Sequence, residues 1–107
     1  MADVQPLLPL GSVVVLNNGT SKLMIVGRLP LYRESTEVLG YFDYLAALYP
    51  VGMTEDKVAY FNAEDIETVL FEGYVDESDQ VLQNTYLAAM AGAGVPYRHL
   101  DISAIRG

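Results

Sequence analysis

The sequence predicts an α+β domain: a curved antiparallel sheet of about five strands, open or closed into a small barrel, with one C-terminal helix packed on it. Three observations carry this. Gly11–Leu29 holds two apolar runs, Val13–Leu16 and Leu23–Val26, around the polar segment Asn17-Asn18-Gly19-Thr20-Ser21. Further apolar and aromatic runs follow, each cut off by Pro, Gly or a polar cluster. One later segment, Asp76–Ala91, has its apolar residues at helical spacing instead.

The first pair of runs reads as a hairpin, because Asn-Gly accepts the two successive φ > 0 residues that a tight hairpin turn uses; with five polar or small residues between the runs, the turn is either a two-residue loop or a longer one with a bulge. Val13 and Val15 face one side of the first strand, and Val14 and Leu16 the other. Both sides are apolar, which places the pair centrally in the sheet or in a barrel wall. Ahead of it, Pro6 and Pro9 exclude helix from Asp3–Leu10, and Leu7, Leu8 and Leu10 tuck against the core.

Pro30 ends the second strand, since proline has no N–H for a ladder. Tyr32–Thr36 reads as a polar loop with a candidate disordered tip. Glu37–Leu48 reads as a strand through Tyr44 and on to Leu48, stopped by Pro50 and Gly52. Lys57–Phe61 is the next strand. Asn62-Ala63-Glu64-Asp65 then suits a single helical turn, with Asn62 as its cap and two acids at the positive end of its dipole. Ile66–Tyr74 is the last strand, alternating Thr68, Leu70 and Glu72 against Val69 and Phe71, with Gly73 as a bulge or strand end.

In the helix, Asp76 or Ser78 supplies the cap and Gly92 or Gly94 the stop. Val81, Leu82, Tyr86, Leu87, Ala89 and Met90 form an apolar stripe. Such stripes usually bury themselves in their own core, and the alternative is a partner-binding face. Residues 1–94 form one domain in this reading, and residues 95–107 a C-terminal tail that either docks or is mobile.

A chain of 107 residues buries roughly 60–70% of its unfolded surface, enough for a core without staples. There is no cysteine, which removes disulfides, a thiolate nucleophile and Cys-ligated metals. The start, MADVQPLLPLGS, lacks the basic and apolar regions of a signal peptide, and no apolar run has the length of a membrane span. The expectation is a cytoplasmic protein with no direct membrane insertion.

The net charge is −8, and it is concentrated. Nine acids and one base, Lys57, lie between Glu55 and Asp79, and the rest of the chain is balanced. An acidic field repels phosphate backbones, so nucleic acid is not an expected partner. The stretch either steers a basic partner or is an ordinary solvated surface.

Catalytic, cofactor and metal sites are not expected. His99 is the lone histidine and has no nucleophile motif beside it. No phosphate loop or HExxH spacing occurs, and the acid clusters lack the alternating ligands and central Gly of a calcium loop. Tyrosine is abundant, with eight in the chain. Its apolar ring and polar tip suit interface rims as well as half-buried strand positions. The candidate partner-binding residues are therefore Tyr41, Tyr44, Tyr49 and Tyr74, with the acids Glu64, Asp65 and Glu72.

The segments LLPLGSVVVLNNGTSKLMIVGRL, GYFDYLAALYPVG and YFNAEDIETVLFEGYVDESD resemble a family of small acidic proteins, a domain of unknown function from Gram-positive bacteria. The shared features are LPLGSVV, the NGT turn, the LMI-GR strand, YFDY followed by YP-G, and F-N-EDI with FEGY, in order over Leu7–Asp79. Leu45-Ala46-Ala47 departs from the more polar or Gly-containing step expected there. Members are encoded beside LXG toxins in type VII secretion loci. The resemblance implies a cytoplasmic chaperone or adaptor that binds a secreted toxin, or its targeting region, before export. An immunity protein that inhibits the toxin's C-terminal domain is the alternative. An enzyme using Asp and His99 is a third reading with little support. Exposed sheet edges leave a homodimer open.

Overall fold

The computed structural model describes residues 7–34, 36–54, 58–91, 99 and 100. The hairpin forms as β1 (Val13–Leu16) and β2 (Leu23–Arg28), pairing Val13 with Met24 and Val14 with Leu23. Its turn is the longer of the two expected alternatives. Of the Asn18-Gly19 pair only Asn18 is left-handed, at φ 63°. Gly19 N–H instead donates to the Leu16 carbonyl at 3.0 Å. The connection, residues 17–22, is longer than a two-residue loop, so one left-handed residue suffices to reverse the chain.

The expected strand Glu37–Leu48 is two strands, β4 (Glu37–Tyr41) and β5 (Tyr44–Leu48). The break lies at Phe42-Asp43, where Phe42 N–H donates to Pro30 O at 3.1 Å and Leu29 N–H donates to Asp43 O at 2.9 Å. The expected loop Tyr32–Thr36 is likewise corrected, since β3 (Leu31–Glu34) pairs with β4 as a separate two-stranded ribbon. Aromatic packing outweighs the polar character of that segment. The Tyr32 ring meets Phe42 edge-on at 5.9 Å and Tyr60 at 5.1 Å between centroids.

With β6 (Val58–Phe61) and β7 (Ile66–Phe71), the main sheet has the order β6-β5-β2-β1-β7, and each pair is antiparallel. The sheet is open and is not a barrel. Half of the Glu37–Leu48 segment is diverted into the ribbon, and β6 and β7 end at opposite edges. The fold class is α+β, with a five-stranded antiparallel sheet, a small second sheet and the C-terminal helix α1 (Glu77–Ala91).

The core lies on the face of the sheet formed by Val14, Leu23, Ile25, Tyr44, Ala46 and Phe61, joined by Leu7. Val14 and Leu16 turn inward together as the alternation predicts, and Leu8 packs at the margin. Leu10 does not tuck in and is exposed.

Among the described residues, polar side chains tie α1 to the rest of the fold. Gln83 pairs with both backbone groups of Leu7: it accepts Leu7 N–H at 2.9 Å and its amide nitrogen donates to the Leu7 carbonyl. Arg28 on β2 donates to Asp79 at 2.7 Å. Tyr86 packs on the core margin and lies under the Arg28 guanidinium at 5.5 Å. The expected stripe is thus buried only in part, for Val81 and Leu82 are exposed.

Of the predicted tail, His99 and Leu100 are docked. Leu100 is buried, its N–H donates to Tyr41 O at 2.8 Å, and His99 bridges to Tyr41 in parallel. Residues 95–98 and 101–107 lie outside the described residues.

Candidate functional site

Among the described residues, β7 pairs with β1 on one side only. The register runs from Val13 opposite Phe71 to Leu16 opposite Ile66, with two irregularities. Ile66 reaches the core margin, but Val69, Leu70 and Phe71 are all exposed, Phe71 at 62%. A half-buried strand hides every second residue. Three consecutive exposed apolar residues mean that neither face of this edge strand is covered among the described residues. The apolar surface continues through Tyr74, 80% exposed, and Val75 to Val81 and Leu82 on α1.

Local chemistry fixes how the chain leaves β7. Ser12 is fully buried, and its hydroxyl accepts Gly73 N–H at 3.0 Å while donating to Pro9 O at 2.8 Å. This draws Gly73 against the entry to β1, where an added Cβ would lie 2.0 Å from the Leu10 carbonyl oxygen. Only glycine allows that approach. Tyr74 then projects outward, and the Asp76 carboxylate starts α1. It accepts the Ser78 hydroxyl at 2.6 Å and Asp79 N–H at 3.1 Å. These bonds, the Ser78 hydroxyl foremost, hold the Asp76 carboxyl below its ordinary value of 3.8.

Two hollows flank the segment between Phe71 and Tyr74. The larger, about 730 Å³, lies between Tyr74 and α1, with Leu10, Val81 and Leu82 in its lining and the Arg28–Asp79 pair beside them. The smaller, about 480 Å³, is lined by Val13, Met24, Tyr49, Leu70 and Phe71. Lys22 borders it, with Nζ 5.4 Å from the centroid of the Tyr49 ring.

The border of this surface is acidic. Described residues 58–91 contain no Lys or Arg, while Glu64, Glu67, Glu72, Asp76 and Glu77 are exposed there. Asp79 is neutralised by Arg28. The surface therefore presents apolar groups and carboxylates without a compensating cation from its own segment.

The residues expected to bind a partner do not form one patch. Glu72 and Tyr74 lie on the exposed surface, and Tyr49 lines the smaller hollow. Glu64 is exposed at the opposite end of β7, where its carbonyl accepts Asn17 Nδ2 at 3.2 Å. Asp65 is occupied locally, accepting Asn62 N–H at 2.9 Å to close the 3-10 turn Ala63–Asp65. Tyr41 stands at the β4–β5 corner with its ring 5.0 Å from that of His99. Burial, and next the Asp43 charge, push its hydroxyl above the ordinary 10.0. Tyr44 is a core residue and is corrected as a surface candidate: it is 1% exposed and its hydroxyl accepts Leu8 N–H at 2.9 Å. Burial is also the chief reason its hydroxyl titrates above 10.0.

Val69, Leu70 and Phe71 are absent from that expected set, and Val81 and Leu82 enter it only through the alternative reading of the helical stripe as a partner-binding face. Their alternation and helical spacing look like those of half-buried elements. The signal that could have found them is the acidic flanks, Glu67 and Glu72, around an apolar triplet, a pattern of guarded edge strands.

His99 belongs to a polar tie. Its Nε2 is 3.0 Å from both Asp43 Oδ1 and Asn62 Oδ1, two acceptors, so Nε2 carries the proton. Asn62 Oδ1 also accepts Asp43 N–H at 2.9 Å, and its Nδ2 donates to Leu100 O at 2.7 Å. Asn62 sits at the expected cap position, and its side chain also joins three segments. Among the described residues no group of three or more His, Cys, Asp or Glu is placed to hold a metal ion. None of the described helices is long and apolar enough to cross a membrane.

No curated protein and no solved structure matches the chain. A family model does: the domain of unknown function DUF4176 matches residues 7–82, which takes in the whole sheet, the exposed edge β7 and the start of α1. The chain belongs to the DUF4176 family, whose function the family description leaves open.

Proposed function

We propose that the protein is a non-catalytic chaperone or adaptor that binds an LXG toxin of a type VII secretion locus in the cytoplasm before export. The observation that carries this reading is the exposed apolar edge Val69-Leu70-Phe71, uncovered among the described residues and continued by Tyr74 and by Val81 and Leu82 on α1. Apolar surface of this extent, bordered by charge, is characteristic of protein interaction sites. The resemblance over Leu7–Asp79 supplies the class of partner.

Co-expression with the LXG toxin encoded in the same locus tests the reading. The toxin is supplied whole, as its N-terminal half and as its C-terminal domain. A chaperone or adaptor co-purifies with the whole toxin and the N-terminal half. Binding confined to the C-terminal domain, with rescue of cells from its toxicity, points to the immunity role, which the acidic border also favours if the toxin's active site is basic. Failure to co-purify with any of the three overturns both.

A further inference from the structure

We infer that β7 is a strand-addition site whose occupant is an extended, basic segment of a partner protein, with apolar residues at alternate positions. This rests on the reading of the chain as a protein-binding adaptor and names the geometry and chemistry of what it binds.

Three independent features meet on β7. It is the outer strand of the sheet, so along one side its backbone has no ladder partner among the described residues. An incoming strand finds backbone donors and acceptors there, which is how sheet edges capture extended peptides. Apolar surface is available on both sides of the edge. Phe71 and Leu70 border the hollow of about 480 Å³ on one side, and Tyr74 leads into the hollow of about 730 Å³ beside α1. Alternate side chains of an added strand point to opposite faces, so apolar residues of one face can enter a hollow while the others reach the border.

Charge selects the occupant. Glu67 lies within the strand and Glu64 and Glu72 lie just outside its two ends, all exposed, and no Lys or Arg occurs from residue 58 to residue 91. A strand carrying Lys or Arg at its outer positions meets these carboxylates, whereas an acidic strand is repelled. The same argument disfavours a second copy of this chain: pairing β7 with itself brings two identical acidic segments together across the new ladder. The acids thus guard the edge against self-association and leave it open to a basic strand.

The test uses the full chain and a short fluorescein-labelled peptide of alternating Lys and Val or Thr. An acidic version with Glu for Lys, and a scrambled version that keeps composition but loses alternation, accompany it. Anisotropy titration reads affinity, and amide hydrogen exchange of the protein reads location. The expected result is binding of the alternating basic peptide alone, slowed exchange within Ile66–Phe71, and at least about tenfold weaker binding to E67K/E72K. Both substitutions lie on exposed side chains, and far-UV circular dichroism checks that this variant keeps its fold. The acidic peptide should bind E67K/E72K better than the native chain. The proposal is overturned by absence of peptide binding, by unchanged affinity of the folded E67K/E72K variant, or by binding that leaves β7 exchange unaltered. It is equally overturned if β7 amides are already protected in the free monomer, which would show the edge covered by another segment of this chain, or if sedimentation shows a dimer that E67K/E72K changes. Peptide capture at β7 without toxin co-purification would retire the toxin assignment and keep the site. Toxin binding with no β7 protection would do the reverse.

Discussion

The Asp79 carboxylate accepts from the Arg28 guanidinium at 2.7 Å, tying the first turn of α1 to the end of β2. The Arg28 side chain is 4% exposed and that of Asp79 15%. The same guanidinium lies over the Tyr86 ring, and its Nη1 reaches the Leu8 carbonyl at 3.4 Å. One side chain therefore links helix, sheet and N-terminal entry. Because few other ties hold α1 among the described residues, Arg28→Ala should lower stability by about 3 kcal/mol, the lower end of the range for breaking a buried pair, since Asp79 can rehydrate. Arg28→Lys should recover only part of this, as an ammonium cannot serve both acceptors and stack on Tyr86 with one planar group. Urea unfolding followed by circular dichroism measures both. A native-like midpoint for Arg28→Ala would show that the pair does not anchor the helix.

Gly73 sets how the exposed surface passes from β7 toward α1. A Cβ there would collide with the Leu10 carbonyl oxygen, which is backbone and has no rotamer to yield. Gly73→Ala should therefore cost about 1–3 kcal/mol, as overpacking does elsewhere. It should also break the 3.0 Å bond from Gly73 N–H to Ser12, leaving a buried hydroxyl with one partner fewer. Ser12→Ala makes the complementary test, because it removes the acceptor without adding bulk. Thermal melts of both variants should fall below that of the native chain. Unchanged melts for both would mean that this segment is free to move away from β1.

Asn62 and His99 share a cluster but differ in weight. Asn62 is 2% exposed and satisfies Asp43 N–H and the Leu100 carbonyl, whereas the His99 side chain is 47% exposed. Asn62→Ala strands two buried backbone groups, each at about 1–3 kcal/mol. His99→Ala leaves those bonds in place and should cost well under about 1 kcal/mol, in the range of an exposed polar contact. Denaturant titration of the two variants should rank them in that order. The reverse order would shift the structural role to the histidine.

Much of the fold is legible in the sequence because its signals are local. Asn-Gly between apolar runs gives the hairpin, and acids before a helical stripe give the start of α1. The signals fail where a long-range contact decides. Nothing near Tyr32 announces a strand, since its ordering partners Phe42 and Tyr60 come from later in the chain. Nothing within Glu37–Leu48 announces the break at Phe42-Asp43, which is set by hydrogen bonds to Leu29 and Pro30. The candidate site suffers most. Exposure of Val69, Leu70 and Phe71 depends on β7 being an edge, and strand order is not written in local patterning. Tyr44 fails for the same reason, since a tyrosine whose hydroxyl finds a distant backbone donor, Leu8 N–H, is indistinguishable in sequence from one at a rim.

The cap at Asp76 makes the start of α1 sensitive to acid. The folded-state carboxyl titrates below its ordinary 3.8, because the Ser78 hydroxyl and Asp79 N–H bond to its charged form. A group with a depressed folded pKa contributes stability that is complete above its unfolded value and is lost as pH falls through the folded one. Helix signal at 222 nm should therefore hold steady at neutral pH and decline once the pH drops below 3.8, into the range where Asp76 protonates. Asp76→Asn keeps a side-chain oxygen that accepts the same two donors and has no proton to gain. The variant should match the native helix content at neutral pH and retain more of it in acid. Circular dichroism of both chains across the acid range, compared at equal ionic strength, checks this. Identical acid profiles would place the sensitive carboxylate elsewhere on the acidic segment.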